Sequence, residues 1–262
     1  MNEAELLFSS VLNCNRMSLY LDRQRLLTND ESEAIALALK RRIAGEPLEY
    51  ILASTEFMGL EFKLSPDVLI PRPETEILVE TVIRQARAAD NAKILDLGTG
   101  SGCIAVSLAK FISDSKITAT DISVKALEIA AANAGFHNVK INFLCSDLFT
   151  SLSLSQYKYD IIVSNPPYIV TEEIWQLQPE LQYEPLVALD AGPDGLEFYR
   201  RIIDKAPDHL EKGGFLVMEM GFGQRKAVEN IFKKSKKFEI IEIVADYNGI
   251  DRVIVARRQT GG

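Results

Sequence analysis

The sequence predicts an α/β fold, in which a doubly wound, mostly parallel seven-stranded sheet closes with an antiparallel hairpin and follows a small helical domain. Three observations predict this fold. The first fifty residues have the apolar periodicity of helices, and from Glu74 onward amphipathic helices alternate with short apolar strands. The last two strand-like segments follow one another without a helix between them. Such alternation places parallel strands side by side, with ligands at their carboxyl ends.

Residues 1–52 are predicted to form the helical domain. The first of its helices has Leu6, Leu7, Val11 and Leu12 on one face, and a second helix carries Ile35, Leu37, Leu39 and Ile43. The second helix begins with the capping sequence TNDE and ends on basic residues before a glycine. Residues 53–73 then carry alternating apolar positions around Gly59, which predicts a β-hairpin linker that closes at Pro71 and Pro73.

Residues 74–262 are predicted to form the α/β domain. Its predicted strands are residues 93–97, 116–121, 139–145, 159–164 and 213–220, followed by the hairpin strands 238–246 and 251–258. Its predicted helices are one around residues 77–83, one that ends at residue 110, one at 123–134, one at 196–211 and one that ends near 235. The sequence Tyr247-Asn248-Gly249 suits the tight turn of an antiparallel hairpin.

Composition excludes several classes of protein. The chain has 29 Lys and Arg against 37 Asp and Glu, a net charge of -8, whereas proteins that bind nucleic acid duplexes usually present a basic surface. We therefore expect no direct nucleic-acid partner. Three cysteines without a Cys-x-x-Cys pair predict neither a disulfide framework nor a metal site. Because no signal peptide or long apolar run is present, we expect a cytoplasmic protein with no membrane partner. We also expect a monomer.

A glycine-rich segment follows the first predicted parallel strand. The sequence LDLGTGSG places Gly98, Thr99, Gly100, Ser101 and Gly102 where that strand passes into a helix. Glycines here allow the backbone to approach a ligand closely. The spacing G-x-G-x-G differs from the dinucleotide fingerprint G-x-G-x-x-G, and no Gly-Lys-Ser/Thr follows as in a P-loop. The structural alternative is a tight turn that needs glycines only for its own conformation.

Acidic residues follow the next two strands. Asp121 ends the second strand, where a carboxylate can accept both hydroxyls of a ribose. Asp147 follows the third strand and could accept an adenine amino group, with Leu148 supplying a backbone N–H and an apolar wall. Alternatively, Asp121 caps the helix that starts near Ser123. Acids at successive strand ends favour a nucleoside ligand without a pyrophosphate, and S-adenosylmethionine is the common one.

The fourth strand ends in Asn165-Pro166-Pro167-Tyr168. A planar –NH₂ group needs two fixed acceptors, which the Asn165 side-chain oxygen and the Pro166 carbonyl can supply. Proline restricts the residue before it to extended geometry, so both acceptors are held in direction. Tyr168 adds a flat apolar face for a planar amide or base. An isolated Pro-Pro step would otherwise suit a simple turn at the end of a strand.

These motifs together carry a resemblance. DLGTGSG, Asp121, Asp147 and NPPY resemble the amino-methyltransferases that use S-adenosylmethionine. Three further blocks are similar to the PrmC/HemK family, LIPRPETE (69–76), YEPLVALDAGPDGLEFYR (183–200) and NGIDRVI (248–254). The resemblance covers essentially the whole chain and implies a Rossmann-like class I methyltransferase fold. It also implies methylation of the glutamine side-chain nitrogen (N5) in the Gly-Gly-Gln motif of peptide chain release factors.

The resemblance also implies roles for individual residues. The cofactor would contact Gly98 to Gly102, Asp121, Leu148 and Asn165, and Asn165 to Tyr168 would hold the glutamine. Arg72 and Thr75 would border the same pocket, unless they belong to a proline-stiffened linker with a helix cap at Thr75. The helical domain, which has no catalytic motif, would recognise the release factor. His137 and His209 lie outside every motif and are expected at the surface.

Three alternatives stay open at this point. NPPY is shared with adenine and guanine amino-methyltransferases, although the acidic charge and the helical domain oppose a nucleic-acid substrate. An NAD-dependent oxidoreductase is disfavoured by the glycine spacing and by the absence of a Tyr-x-x-x-Lys pair beside the site. A non-catalytic nucleoside-binding module would have no need of NPPY.

Overall fold

The computed structural model describes residues 2–21, 24–86, 91–151, 154 and 157–260. Residues 1, 261 and 262, which fall within the predicted domains, lie outside these ranges. The helices of the described part are α1 Glu3–Val11, α2 Arg16–Leu21, α3 Asn29–Ile43, α4 Leu48–Leu52, α5 Thr75–Ala86, α6 Cys103–Phe111, α7 Val124–Phe136, α8 Glu197–Lys205 and α9 Arg225–Ser235. None of the described helices is long and apolar enough to cross a membrane.

The predicted N-terminal helical region is present as α1 to α4. Helices α1 and α3 both begin with capping boxes, in which Asn2 pairs with Glu5 and Thr28 pairs with Glu31. In each box the side chain of the first residue accepts the backbone N–H of the glutamate, and the glutamate carboxylate accepts the backbone N–H of the first residue, so two otherwise unpaired donors are satisfied. A small apolar core joins these helices through Leu7, Ile35, Ala38 and Leu48.

The predicted hairpin is formed by strands β1 Ser54–Phe57 and β2 Leu60–Lys63. Met58 and Gly59 form its two-residue loop with φ values of 54° and 70°, the positive pair that a tight hairpin turn requires. Asn133 of α7 fastens this hairpin to the glycine-rich loop. Its side chain accepts from the Lys63 N–H at 2.8 Å and donates to the Lys63 and Ser101 carbonyls at 3.0 and 2.8 Å.

A seven-stranded sheet forms the centre of the molecule and confirms the predicted fold class. Its strands are β3 Lys93–Leu97, β4 Lys116–Asp121, β5 Ile141–Cys145, β6 Tyr159–Ser164, β7 Leu210–Glu219, β8 Phe238–Ala245 and β9 Asp251–Arg258. Their order is β5-β4-β3-β6-β7-β9-β8. Strands β3 to β7 are parallel to one another, whereas β9 is antiparallel to both β7 and β8.

The strand predicted over 213–220 begins three residues earlier, at Leu210, and two further predicted boundaries are wrong for identifiable reasons. The predicted helix 196–211 ends at Lys205 and passes into a 3₁₀ turn at Ala206–Asp208, because Pro207 cannot donate the hydrogen bond that a helix interior needs. The predicted strand 139–145 begins only at Ile141, since the Val139 N–H is already bonded to the Ala134 carbonyl at the end of α7.

Both faces of the sheet are covered by helices, so the central strands β3 and β6 and the second half of β7 are buried and mainly apolar, whereas the edge strands β5 and β8 are partly exposed. Along β3, Ile94 belongs to the core under α5 and α6, whereas Leu95 and Leu97 belong to the core under α8 and α9. This alternation follows from the two-residue period of a strand. Because apolar cores cover both faces of the sheet, its polar groups lie mainly at the strand ends and in the loops that follow them.

Gly102 holds the turn from β3 into α6 against α7. Its φ is +81°, and an added Cβ would lie 2.9 Å from the Cβ and 3.1 Å from the Cα of Ala130. Both the backbone conformation and the close helix contact therefore require glycine.

Replacing Gly102 with alanine should lower the free energy of unfolding by about 2–4 kcal/mol, from the left-handed backbone conformation together with overpacking. Gly98→Ala is the matched control, since Gly98 has φ +73° with no atom within 4 Å of an added Cβ. The control should lose only about 1–2 kcal/mol. Urea unfolding measures both variants, and equal losses would contradict the contact with Ala130.

Candidate active site

The ends of β3 to β6 surround one cavity. The sequence-predicted residues among its lining are Gly98, Gly100, Asp121, Asp147, Leu148, Asn165, Pro166 and Pro167. Thr99, Ser101 and Gly102 belong to the same glycine-rich loop but are not part of this lining. Tyr168 and Arg72 line a second cavity, and Thr75 is buried beneath Asn165.

The glycine-rich loop turns its open side toward the first cavity. Gly98 and Gly100 both have positive φ, and a Cβ added at either would meet no atom within 4 Å. The N–H groups of Gly98 and Thr99 both donate to the Thr120 carbonyl at 2.9 Å. These contacts pin the loop to β4 and keep its glycine faces clear for a ligand.

Asp121 uses its carboxylate to fix two loops. One oxygen accepts from the Gly100 N–H and the other from the Ser123 N–H, both at 2.9 Å. The cap of α7 is the Ser123 hydroxyl, which accepts from the Ala126 N–H at 3.2 Å. A carboxylate offers about four acceptor positions, so two positions of Asp121 have no partner among the hydrogen bonds of the described residues.

Asp147 and Leu148 lie opposite the glycine-rich loop. One Asp147 oxygen accepts from Arg201 at 2.6 Å, which leaves the other oxygen for a ligand. Leu148 has φ +50°, an uncommon conformation for a branched side chain. Among the described residues no acceptor meets its N–H. The Leu148 N–H can therefore donate to a ligand in the first cavity, where the sequence predicts an adenine ring.

A buried carboxyl lies under the loop. Asp96 has no exposed surface, and one of its oxygens accepts from the Thr99 hydroxyl at 2.6 Å while the other accepts nothing. Burial, with a smaller contribution from the Asp121 charge, raises the pKa of Asp96 to about 7. The sequence placed Asp96 in the motif without assigning it a role.

Asn165 presents a free acceptor. Its side-chain –NH₂ donates to the Thr75 hydroxyl at 3.1 Å, while its Oδ1 is buried and accepts nothing. No described residue donates a hydrogen bond to the Pro166 carbonyl. Two rigidly held acceptors on neighbouring residues therefore have no partner within the described chain.

Tyr168 is fixed by residues that the sequence analysis missed. Gln224 donates from its –NH₂ to the carbonyls of Tyr168 and Gly195, at 2.9 and 3.2 Å, and accepts from the Gly221 N–H at 3.1 Å. An added Cβ at Gly221 would lie 2.9 Å from the Tyr168 ring and 2.7 Å from Gln224. No local pattern around Gln224 would have predicted this role.

Two missed glutamates support the same region. Glu219 is buried at the end of β7 and accepts from the Thr75 hydroxyl at 2.7 Å. Glu184 is also buried, forms an ion pair with Arg72 and accepts from the Ile70 N–H at 3.2 Å. An acid inside the apolar run FLVMEM was the signal that could have found Glu219.

The second cavity lies on the other side of NPPY. Its lining includes Leu69, Arg72, Asn165, Pro166, Tyr168, Ile169, Leu181, Ala188 and Leu189. Asn165 and Pro166 belong to the linings of both cavities. They therefore form the wall at which ligands from the two sides would meet.

The prediction of two surface histidines is wrong for His209. This residue is only 8% exposed and its ring stacks on Phe149 at 4.7 Å, because it lies under the loop that follows β5. Burial lowers the pKa of His209. His137 is half-buried, with Nε2 2.6 Å from the Glu61 carbonyl. Neither histidine lines the two cavities.

Comparison with known proteins gives two family matches. Residues 1–52 match the PrmC N-terminal domain, and residues 73–178 match the methyltransferase small domain. A release factor glutamine methyltransferase of Geobacter sulfurreducens is 42% identical over 97% of this chain and 88% of its own. One from Thermodesulfovibrio yellowstonii is 41% identical over 98% of this chain and 92% of its own.

Solved structures support the fold. A methyltransferase from Pyrococcus furiosus aligns with a TM-score of 0.55 and 15% identity, over 88% of this chain and 100% of its own. The 16S rRNA N2 G1207 methyltransferase of T. thermophilus, in complex with AdoMet and guanosine, also has a TM-score of 0.55, with 17% identity over 79% of this chain and 49% of its own. At these identities the likeness concerns the fold alone.

The raised pKa of Asp96 predicts a pH dependence of stability. The pKa rises from 3.8 to about 7 on folding, so between these values the folded state holds a proton that the unfolded state has lost. The free energy of unfolding should therefore fall as the pH rises through this range. Burial also raises the pKa of Glu219 to about 7. This residue therefore adds to the fall of the free energy of unfolding as the pH rises.

Asp96→Asn should make that decline shallower, because the amide has no proton to lose. Urea unfolding of both proteins at several pH values from 5 to 8 measures the slopes. Parallel curves for the two proteins would contradict a raised pKa of Asp96 in the folded state. The decline that remains in the variant should include the part due to Glu219.

Proposed function

We infer the reaction from the premise that the chain belongs to the release factor glutamine methyltransferase family. Its members named above cover nearly the whole chain, so both cavities and the helical region fall within the matched length. The protein is accordingly a methyltransferase. We propose that it transfers a methyl group from S-adenosylmethionine to the side-chain amide nitrogen (N5) of the glutamine in the Gly-Gly-Gln motif of peptide chain release factors.

One observation carries the proposal. The Asn165 Oδ1 and the Pro166 carbonyl are two acceptors without partners in the described chain, on the wall between the cavities. A primary amide has two N–H donors that need two such acceptors. A buried acceptor without a partner, such as the Asn165 Oδ1, costs free energy, and a bound glutamine side chain would remove that cost.

The first cavity suits S-adenosylmethionine. Gly98 and Gly100 expose backbone without a Cβ, and Asp121 retains acceptor positions for ribose hydroxyls. Asp147 and the free Leu148 N–H fit the donor and acceptor edge of an adenine ring. When bound, the cofactor supplies a methyl group on a positively charged sulfur.

The work of the protein is positioning. An amide nitrogen is a poor nucleophile because its lone pair is delocalised, so Asn165 and Pro166 must hold both of its hydrogens in one direction. The face of Tyr168 supports the flat amide. Burial raises the pKa of Tyr168 to about 12, so its phenol is neutral near pH 7 and is no base. The amide proton leaves to water after transfer.

The test is to incubate the protein with labelled S-adenosylmethionine and an intact release factor, then map the modified residue by mass spectrometry. We expect one methyl group on the glutamine of Gly-Gly-Gln. Label in DNA or rRNA instead would support the adenine or guanine amino-methyltransferase, which also carries NPPY. Absence of transfer with intact cofactor binding would overturn the proposed reaction.

Asn165→Ala should lower turnover by at least about 100-fold, the scale of losing one preorganised polar contact. Cofactor affinity should fall much less, because Gly98 to Gly102, Asp121 and Leu148 remain. Turnover and calorimetric affinity are measured on the same folded variant. Equal losses in both would make Asn165 a cofactor ligand only.

We propose that residues 1–52 recognise the release factor, joined by the linker 53–73 to the methyltransferase domain 74–262. The helical region contacts the segment that lines the second cavity, since Arg42 pairs with Glu180 at 2.6 Å and Tyr183 donates to the Ala44 carbonyl at 3.0 Å. A release factor bound to the helical region would therefore lie next to the segment that lines the second cavity, whose lining also contains Asn165. A cytoplasmic monomer without a nucleic-acid or membrane partner fits this role.

Ile43, 86% exposed at the end of α3, tests this recognition. Ile43→Glu should raise the KM for an intact release factor about 10-fold, the scale of one well-placed interface residue. Turnover of a short Gly-Gly-Gln peptide should be unchanged. The control is Ile241→Glu on β8, at the far edge of the sheet. Equal KM values for Ile43→Glu and the unaltered protein would contradict docking at this end of α3.

A further inference from the structure

We propose that Glu219 and Thr75 act as positioning residues that set which way the Asn165 side-chain amide faces. This inference rests on the proposed function, in which the amide oxygen of Asn165 must face the substrate. It assigns a task to two side chains that do not themselves bind the reacting groups. Two residues from separate parts of the chain would then determine the direction of the hydrogen bond made by a third, Asn165.

The argument starts from the single hydrogen of the Thr75 hydroxyl. That hydroxyl lies 2.7 Å from a carboxylate oxygen of Glu219. An ionised carboxylate only accepts hydrogen bonds, so the hydrogen of Thr75 must point to Glu219. Toward any other neighbour the Thr75 oxygen can then only accept.

The other neighbour of that oxygen is the Asn165 amide, at 3.1 Å. Since Thr75 can only accept there, the –NH₂ group of Asn165 must face it, and Oδ1 must face away. Oδ1 is the buried atom without a partner. If the amide were rotated by 180°, two oxygens without a hydrogen between them would meet, and the site would present an –NH₂ group to the substrate's –NH₂ group.

We call the two hydrogen bonds that join Glu219, Thr75 and Asn165 the relay. The residues around it keep it in place. Thr75 is 2% exposed and Glu219 is 1% exposed, so water does not compete for their hydrogen bond. Thr75 is the first residue of α5, and its N–H is bonded to the Arg72 carbonyl at 3.0 Å. Tyr199 donates to the Glu219 carbonyl at 3.2 Å, which fixes the end of β7.

The charge on Glu219 determines the assay conditions. Burial raises the pKa of Glu219 to about 7, against the opposing effects of Thr75 and Arg252 and a smaller one of Arg72, while Glu74 adds to the rise. The neighbouring phenols of Tyr168 and Tyr199 are neutral, because burial raises the pKa of each. Assays at pH 8.5 therefore keep Glu219 ionised.

The test is a pair of substitutions combined in a double-mutant cycle. Glu219→Gln places an amide that can either donate to Thr75 or accept from it, so the direction is no longer imposed. We expect turnover to fall about 10-fold, with cofactor affinity nearly unchanged. Asn165→Asp puts a second acceptor against Thr75, so two carboxylates compete for one hydrogen.

In the Asn165→Asp background the effect of Glu219→Gln should reverse in sign. The glutamine can donate to Thr75, which frees the Thr75 hydrogen for the aspartate. Turnover of the double variant should then exceed that of Asn165→Asp about 5- to 10-fold, the scale of coupling between groups in one network. A purely structural Glu219 would lower turnover in both backgrounds, and that result would overturn the relay.

Two controls separate this relay from general damage. Asp96→Asn also removes a buried carboxyl but does not touch Asn165, so it should change turnover by the same factor in both backgrounds. Thr75→Ser keeps the hydroxyl and should retain near-normal turnover, whereas Thr75→Val should lose about 10-fold or more. Equal turnover of the Ser and Val variants would also overturn the relay.

The outcomes distinguish this inference from the proposed function. If the unaltered protein does not methylate glutamine, the proposed function fails. If it does, and Asn165→Ala loses turnover while Glu219→Gln has the same sign in both backgrounds, only the relay fails. Thermal melting of each variant confirms that the compared proteins are folded.

Discussion

The carboxyl ends of five parallel strands lie along one edge of the sheet, and this constraint decides where the polar groups of the site can be. Parallel neighbours cannot be joined by a tight turn, so each strand is followed by a crossover and all of them point the same way. Inside the sheet the backbone groups are paired. At its edge, groups such as the Leu148 N–H and the Pro166 carbonyl have no partner among the described residues, and a ligand can use them.

Much of this arrangement could be predicted, because buried parallel strands are short apolar runs bounded by turn residues. The bounds of β3, β4 and β6 are those expected from the sequence. Asp121 is the last residue of β4, Gly98 and Asn165 directly follow β3 and β6, and all three line one cavity. The error at the end of α8 came from reading apolar periodicity through Pro207, where the missing N–H ends the helix.

The supports of the site could not be predicted, since each depends on side chains that meet across the fold. Glu219 reaches Thr75 across 144 residues of sequence, and Gln224 reaches Tyr168 across 56. Neither pair has a local spacing that signals contact. The roles expected for Asp121, Asp147 and Leu148 as cofactor ligands stay predictions, although their geometry leaves the required hydrogen-bonding positions free.

The position of β9 has a consequence for synthesis on the ribosome. Residues 251–258 follow β8 in sequence but lie between β7 and β8 in the sheet, with Glu219 paired to Val253. Because a chain emerges amino end first, β3 to β7 can assemble while one side of β7 is still bare. A nascent chain halted before residue 251 would already contain the glycine-rich loop, Asp121 and NPPY. It would lack the strand that pairs with β7 at Glu219. The loops predicted to bind the nucleoside can therefore fold before Glu219, which supports Asn165 through Thr75, has its neighbouring strand.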